Sequence, residues 1–410
     1  MLTEGRQGDP LPFLSMPDWR DISVWERLAA EPAAVAAAGE VDPGDAAAIT
    51  RLRRRFDADL VSAALELAQA RRKAAAKFAC ADTLWCDVAG VEQASSERVA
   101  AWKAQRMRDV LGVGAEILDV CCGIGGDAMA LSAAGLRVTA VDLDPRRAWM
   151  ASRNAGCVGQ VADAESLVLA GEVVHADPAR RDERGGRRSW SLEDHQPGRA
   201  WIERAMRETR AAAIKFSPGV DRRAFGAIPI AWEFIEDHGT LVQAVAWTGA
   251  FARQTAWTRA TRIGASIDTI AGVPDDARAD RIAIADGIVP GRFLCEPCAA
   301  LERAQLLTEA AGGAARELAR GLGLLLADAP LAPAWFESFE IVEDCAARED
   351  AIRAVLSRHG LRARSVRARG RAVDADELTK ALMARPDGNA VVFAFRRGER
   401  TAAVVTRAAG

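Results

Sequence analysis

A glycine-rich loop between a short apolar run and a helix-forming segment restricts the fold more than any other part of this 410-residue sequence. The segment DVCCGIGGD extends from Asp119 to Asp127 and overlaps the apolar run EILDV. Gly123, Gly125 and Gly126 permit a tight turn and let a ligand approach the backbone where no Cβ stands in the way. A strand, a glycine loop and a helix in this order predict an α/β domain that binds a ligand at the loop.

Acidic residues end the next three apolar runs of the chain. RVTAVD ends at Asp142, VGQVAD at Asp163 and EVVHAD at Asp177. Apolar runs that alternate with helical segments predict βαβ units and a parallel sheet. Open α/β sheets bind ligands at the carboxyl ends of their strands. We therefore expect these acids and Asp119 to lie around one ligand site.

The loop does not have the pattern of a phosphate-binding loop. It lacks Gly-Lys-Ser/Thr, and its spacing is Gly-x-Gly-Gly-Asp rather than Gly-x-Gly-x-x-Gly. Asp127, at the helix start, would repel a pyrophosphate. Carboxylates instead accept hydrogen bonds from cationic groups and from ribose hydroxyls. S-adenosylmethionine, with an ammonium, a sulfonium and a ribose, suits such a site.

The same segment resembles a known family of enzymes. DVCCGIGGD resembles the first motif of the class I, Rossmann-like S-adenosylmethionine-dependent methyltransferases, and VTAVDLDPRRAWMASRNA resembles the stretch that follows it in trimethylguanosine synthases and related bacterial RNA methyltransferases. The resemblance implies that S-adenosylmethionine is the cofactor, with its methionine part at the glycine loop, its ribose at Asp142 and its adenine at Asp163. The implied cofactor-binding residues are Asp119, Cys121, Gly123, Gly125, Gly126, Asp127, Asp142, Leu143, Asp163 and Ala164.

A second motif follows the fourth apolar run. Asp177-Pro178-Ala179-Arg180 stands where amino-methylating members of the family have an (Asp/Asn/Ser)-Pro-Pro-aromatic motif. The resemblance implies that Asp177 and Pro178 are catalytic, with Asp177 accepting a proton or a hydrogen bond from the substrate. Ala179 and Arg180 depart from the family pattern, although a guanidinium can stack on a base in place of an aromatic ring. The predicted substrate-binding residues are Arg180, Arg181 and Lys215.

Changes in the pattern of predicted helices and strands divide the chain into three predicted regions: a helical region 1–105, a Rossmann-like methyltransferase domain 106–290 and an α+β domain 291–410. Ser95 is predicted to cap the last helix of the first region. The last region is predicted to begin with a helical stretch, EPCAALERAQLLTEAAGGAARELARGLGLLLA. This arrangement is similar to bacterial methyltransferases with a THUMP-like C-terminal domain, which implies an RNA partner, either tRNA or rRNA.

Local arginine clusters are the candidate RNA contacts, because a formal net charge of -3 gives the whole chain no basic field. They are RRDERGGRR, from Arg180, and LRARSVRARGR, from Leu361. A solvated loop and an arginine-rich composition are the alternative explanations. An RNA methyltransferase is the leading hypothesis. The alternatives are a methyltransferase that acts on a small molecule or a protein, and a noncatalytic RNA-binding protein with a degenerate cofactor site.

Other function classes are disfavoured by what the sequence lacks. No run approaches the roughly 18 apolar residues that cross a bilayer, and the start MLTEGRQGDPLPFL lacks the features of a secretory signal. We therefore expect a cytoplasmic protein without a membrane partner. The eight cysteines are irregularly placed, which predicts reduced thiols. Cys295 and Cys298 lack a second ligand pair, so no metal site is expected.

Overall fold

The computed structural model describes residues 21–42, 44–180, 195–252 and 257–407. These residues form two compact units, one extending to residue 210 and the other starting at residue 211. Both units combine helices with sheets, which confirms the predicted α/β class. The predicted domain boundaries at 105/106 and 290/291 stay predictions. Within the described ranges, no helix is long and apolar enough to cross a membrane.

The first unit contains nine of the described helices and six short strands. The helices are α1 Ile22–Ala30, α2 Pro32–Gly39, α3 Ala46–Arg53, α4 Ala58–Ala74, α5 Val88–Gln93, α6 Glu97–Leu111, α7 Gly126–Ala133, α8 Pro145–Ala155 and α9 Arg199–Glu208. The strands are β1 Glu116–Val120, β2 Arg137–Asp142, β3 Val158–Val161, β4 Val173–Ala176, β5 Ala179–Arg180 and β6 His195–Gln196.

Helices α1 to α6 form the helical layer predicted for the start of the chain. Trp25, Leu28 and Leu67 are fully buried in its core. The capping residue of α6 differs from the prediction: the side chain of Ser96, not Ser95, accepts a hydrogen bond from the Val99 amide. Ser96 takes this role because it directly precedes the first helical residue, where the unpaired amides of the first turn lie within reach.

Four strands of the first unit form a parallel sheet in the order β4-β1-β2-β3. Val120, at the end of β1, pairs with Val141 of β2 and with Ala176 of β4. The carboxyl ends of these strands are therefore level with one another. The register brings the loops that follow β1, β2 and β4 to one edge, as the alternation of strands and helices predicted.

The second unit contains four of the described helices and twelve strands. The helices are α10 Ala299–Ala304, α11 Leu307–Ala311, α12 Glu349–Arg358 and α13 Ala375–Ala381. The strands are β7 Ala211–Phe216, β8 Ala231–Asp237, β9 Thr240–Gly249, β10 Thr258–Ile263, β11 Ile267–Gly272, β12 Phe293–Pro297, β13 Ala315–Glu317, β14 Leu325–Ala327, β15 Phe336–Ala346, β16 Ala363–Arg369, β17 Ala390–Arg397 and β18 Arg400–Arg407.

These strands are arranged in two groups. One group has the order β11-β10-β8-β9-β7, and the other is a seven-stranded sheet in the order β13-β14-β12-β15-β18-β17-β16. Both faces of the seven-stranded sheet are buried, because alternate residues of β17 enter two separate cores: Val391 and Phe393 one, Val392 and Ala394 the other. Strand β16 forms an edge of this sheet.

The helix predicted over residues 296–327 is wrong in its second half. Helix α11 ends at Ala311, and the next two glycines, Gly312 and Gly313, have left-handed φ angles of 56° and 78°. Such glycines end helices because they carry no Cβ. The leucine-rich remainder is apolar because it supplies the buried strand β14 and its flanks, and a short apolar run does not distinguish a buried strand from a helix.

A buried carboxylate joins the helical layer to α8. The side chain of Asp87 is 3% exposed and forms ion pairs with Arg146 at 3.1 Å and Arg147 at 2.9 Å. It also accepts a hydrogen bond from the Gly90 amide at 2.7 Å, which caps α5. One residue of the helical layer therefore compensates two arginines at the start of α8.

We expect Asp87→Asn to lower the free energy of unfolding by about 3–5 kcal/mol, because it removes the buried negative charge that Arg146 and Arg147 share. Urea denaturation measures this change. Asp57→Asn is the matched control, because Asp57 also pairs with an arginine but its side chain is 74% exposed. Equal effects of the two substitutions would contradict a structural role for the buried pair.

Candidate active site

The glycine loop after β1 has left-handed φ angles and is packed on one side and open on the other. Cys121, Gly123 and Gly125 have φ angles of 58°, 55° and 83°. A Cβ on Gly125 would lie 2.7 Å from the Cα of Ala151 in α8, whereas a Cβ on Gly123 would have no neighbour within 4 Å. The loop therefore rests against α8 at Gly125 and leaves room for a ligand at Gly123.

Asp142, at the end of β2, is held against this loop by backbone hydrogen bonds. The Gly123 amide donates to Oδ2 and the Asp144 amide to Oδ1, both at 3.0 Å. The Cys122 thiol makes a weak contact with Oδ2 at 4.0 Å. A carboxylate has about four acceptor positions, so capacity for ligand hydroxyls remains. Burial raises the pKa of Asp142, and the two backbone hydrogen bonds oppose this rise.

Four ionisable side chains and a serine form a buried chain of contacts under the loop, which we call the buried relay. Asp119 Oδ1 lies 2.6 Å from His175 Nδ1, and His175 Nε2 lies 3.2 Å from Lys103 Nζ. Lys103 Nζ lies 2.7 Å from Asp127 Oδ1, and the Ser95 hydroxyl donates to Asp127 Oδ2 at 3.2 Å. All five side chains are buried.

One carboxylate oxygen of the relay lacks a protein partner. Asp119 is 1% exposed, yet its Oδ2 has no hydrogen-bond partner among the described residues. Burial raises the pKa of Asp119, and the hydrogen bond with His175 opposes the rise. A buried acceptor without a partner carries a desolvation cost. A ligand that donates a hydrogen bond at this point would remove that cost.

Sequence reasoning missed Lys103 and His175, although each leaves a weak signal. Lys103 stands four residues after Val99 and four before Met107, both of which are buried, so the lysine occupies an apolar position of α6. His175 lies within VVHA, a strand in which every residue is buried. A single ionisable residue inside an apolar pattern requires a buried partner. Which partner it finds depends on contacts between segments distant in the sequence.

The Asp177-Pro178 motif follows β4 and lies beside the glycine loop. The Asp177 amide donates to the carbonyl of Val120, the last residue of β1, at 3.2 Å. Pro178 is buried, and Asp177 is half-buried. The next residue, Ala179, pairs with Gln196 of β6. This arrangement brings the second predicted motif to the strand end from which the first one starts.

Cys121 lies where these segments meet. Burial is the main cause that raises the pKa of its thiol, and the negative charges of Asp142, Asp177 and Asp119 raise it further. The thiol approaches the carbonyl of Gln196 at 3.9 Å. The acids at the ends of β1, β2 and β4 thus surround one residue of the loop.

The predicted adenine side has an exposed apolar residue and a stabilised turn. Leu143, directly after Asp142, is 58% exposed. Asp163 Oδ1 accepts a hydrogen bond from the Glu165 amide at 2.9 Å and caps a short 3-10 turn that begins at the buried Ala164. Leu143 therefore offers apolar surface to a flat ring, while Asp163 orders the turn after β3.

The remaining predicted residues are Gly126, Arg180, Arg181 and Lys215. Gly126 is the first residue of α7, and a Cβ there would be 3.4 Å from the ring of Phe78. Arg181 and the rest of the RRDERGGRR segment after Arg180 lie outside the described residues, as does the side chain of Arg180. Lys215 is half-buried on β7, in the second unit.

No group of metal-binding side chains occurs in the part of the chain that the structure describes, and all eight cysteines are free thiols.

These features fit the groups of S-adenosylmethionine. The backbone is open at Gly123, and the Asp142 carboxylate keeps acceptor capacity. The buried Oδ2 of Asp119 has no hydrogen-bond donor among the described residues. Acidic side chains outnumber basic ones around the loop, because Asp119, Asp142 and Asp177 act on Cys121 while the Lys103 ammonium pairs with Asp127. This excess of acids favours a ligand with cationic groups.

Substitution of the two loop glycines should separate stability from ligand affinity. Both Gly123→Ala and Gly125→Ala incur about 1–2 kcal/mol for a left-handed backbone, but only Gly125→Ala also drives a methyl into the backbone of α8. We expect the larger loss of thermal stability in Gly125→Ala. For Gly123→Ala we expect a folded protein with weaker S-adenosylmethionine binding in calorimetry. Equal melting temperatures for the two variants would contradict the packing described here.

Known proteins share both sequence and fold with this chain. The model of the RNA cap guanine-N2 methyltransferase family matches residues 114–177. An uncharacterised S-adenosylmethionine-dependent methyltransferase of Mycobacterium tuberculosis is 30% identical over 377 residues, which cover 87% of this chain and 98% of that protein. The crystal structure of a candidate methyltransferase from Porphyromonas gingivalis covers 90% of this chain and 100% of its own, with a TM-score of 0.67 and 15% identity. The last likeness shows a common fold. The near-complete match with the mycobacterial relative shows that this chain belongs to the S-adenosylmethionine-dependent methyltransferases, and that S-adenosylmethionine is its cofactor.

Proposed function

We propose that this methyltransferase transfers its methyl group to a base in RNA, either tRNA or rRNA. The observation that carries the proposal is the position of Asp177-Pro178, joined through the Asp177 amide to the strand end that opens the glycine loop. The match to the RNA cap guanine-N2 methyltransferase family covers both the loop and Asp177, since it extends from 114 to 177. That family's substrate class supports a base as the acceptor.

The geometry of the loop supports the following cofactor-binding roles. Asp142 would accept hydrogen bonds from the ribose hydroxyls, and Asp119 Oδ2 would accept one from the methionine ammonium. Leu143 and Ala164 would flank the adenine. Cys121, Gly123, Gly125 and Gly126 would shape the loop around the methionine part, while Asp127 and Asp163 would act through the buried relay and the turn after β3.

The catalytic role falls to Asp177 and Pro178. When bound, S-adenosylmethionine supplies a methyl group on a sulfonium, which a nucleophile can take up. The Asp177 carboxylate would accept a hydrogen bond from the nucleophilic group of the base and so hold that group in place. It would then receive the proton that this group loses when it is methylated. Buried Pro178 restricts the backbone after Asp177 and so fixes the direction from which the base approaches.

Substrate contacts by Arg180, Arg181 and Lys215 remain predictions. The C-terminal arginine cluster is less available for RNA phosphates than its sequence suggests, because two of its arginines pair with glutamates. Arg367 contacts Glu296 and Glu337, and Arg369 contacts Glu296 and Glu302. This pairing favours a second candidate, a methyltransferase that acts on a small molecule or a protein. The THUMP-like nature of residues 291–410 and a cytoplasmic location also stay predictions.

Acidification should weaken cofactor binding through Asp142. Its pKa is raised by burial, so the carboxylate becomes protonated at a higher pH than an ordinary aspartate. Affinity is therefore complete above that raised pKa and is lost as the pH falls through it, because a protonated carboxyl accepts ribose hydroxyls less well. Calorimetric titration with S-adenosylmethionine over a pH series measures the loss. Asp142→Asn should bind weakly with a flatter profile at acidic pH; an unchanged profile in this variant would reject the assignment.

Methyl transfer from tritiated S-adenosylmethionine to total RNA tests the proposed reaction. The RNA should come from cells in which this gene is deleted, so that the acceptor site is unmodified. We expect label in RNA with the native protein, and at least about a hundredfold less with Asp177→Ala, because a positioned proton acceptor is removed. Calorimetry should show that Asp177→Ala still binds the cofactor.

Asp109→Ala is the control, because Asp109 is an exposed residue of α6. Protein and small-molecule fractions of the same cells test the second candidate. Label in one of those fractions and none in RNA would overturn the RNA proposal. If RNA is the substrate, its labelling should fall as salt rises from about 50 to 200 mM, because phosphate contacts release counterions.

A further inference from the structure

We propose that Lys103 and His175 are positioning residues of the cofactor site: the Lys103 ammonium fixes the tautomer of His175, which in turn orients Asp119 toward the cofactor. The inference rests on the cofactor role proposed for Asp119. Neither residue touches the glycine loop's open side in the described contacts. Both would therefore act through another residue.

The proton positions in the buried relay follow from the chemistry of its donors. A lysine ammonium has three hydrogens to donate and no acceptor. Because Lys103 Nζ lies 3.2 Å from His175 Nε2, that nitrogen accepts, and the remaining ring hydrogen is on Nδ1. Nδ1–H then donates to Asp119 Oδ1 at 2.6 Å. The neutral Nδ1–H tautomer is thus selected by a residue of α6.

This tautomer controls the orientation of the Asp119 carboxylate. One carboxylate oxygen is bound to the imidazole, and the other, Oδ2, is buried without a partner in the described structure. A pair that served stability alone would satisfy both oxygens, since an unpaired buried acceptor is costly. The relay instead holds the carboxylate by one oxygen and leaves the second for a donor from the ligand.

The charges of the relay also suit the cofactor. Two carboxylates, Asp119 and Asp127, face one ammonium, Lys103, and a neutral imidazole. One negative charge is in excess within these four side chains. A cationic ligand beside Asp119 would compensate that charge. Lys103 therefore compensates part of the acidic charge, and its positive charge opposes the rise that burial causes in the pKa of Asp119.

Nitrogen-15 NMR of the histidine rings tests the tautomer. The chain has four histidines, and the spectrum of His175→Asn identifies the resonances of His175. We expect one protonated and one unprotonated ring nitrogen at neutral pH. In Lys103→Met the ring hydrogen should move to Nε2, which lies 4.0 Å from Asp127 Oδ2, and Nδ1 should no longer donate to Asp119. A doubly protonated ring in the native protein would overturn the proposal.

Calorimetry with S-adenosylmethionine tests the consequence for the cofactor. We expect Lys103→Met and His175→Leu to raise Kd at least about tenfold, the effect of losing a hydrogen bond to a charged group. His175→Asn should stay much closer to the native value, because its amide can still donate to Asp119. Lys73→Met is the matched control, since Lys73 of α4 forms an exposed pair with Glu92 of α5 and its loss should not alter Kd.

Thermal melting of each variant shows whether it is folded. If Lys103→Met does not fold, the comparison of His175→Asn with His175→Leu decides, because it changes the donor to Asp119 and leaves the Lys103–Asp127 pair in place. Native affinity in both His175 variants would overturn the proposal. Failure of the native protein to bind S-adenosylmethionine would instead remove the proposed role of the loop and Asp119.

Discussion

The ion pair between Lys103 and Asp127 is the interaction on which the glycine loop depends. Lys103 comes from the last helix of the helical layer, and Asp127 from the first turn of the helix that follows the loop. Burial of either charge alone would cost several kcal/mol, whereas together they compensate each other. Through His175 the same ammonium reaches β4, so the helical layer helps to support the proposed cofactor site.

The parallel sheet explains why so many acids meet in one place. The strands end level with one another, so residues far apart in sequence, such as Asp142 and Asp177, lie around Cys121. Mutual repulsion among these carboxylates is reduced by backbone amides at Asp142 and by Lys103 within the buried relay. A cationic cofactor would compensate much of what remains, and the acidic character that disfavours phosphate favours S-adenosylmethionine.

The parts of this fold that the sequence predicts are those set by local patterns. The strand, glycine loop and helix around Gly123 to Asp127 are encoded by neighbouring residues, and the alternation that follows defines the parallel sheet. The helix expected over 296–327 was wrong, because apolar leucines alone do not fix a period and Gly312 and Gly313 end the helix early. The roles of Lys103 and His175 could not be predicted, because their partners lie far away in the sequence. Lys103 and Asp127 are 24 residues apart, and Asp119 and His175 are 56 residues apart.

The raised pKa values of the two loop cysteines lower their reactivity toward alkylation and oxidation. Burial and nearby carboxylates keep Cys121 and Cys122 as thiols rather than thiolates, and the thiolate is the reactive form. The sulfonium methyl of S-adenosylmethionine is an alkylating agent, and a thiolate beside it would be a strong competitor for the intended acceptor. At the proposed cofactor site, burial and the carboxylates that attract the cofactor would therefore also keep the loop from methylating itself, and they would slow its oxidation for the same reason.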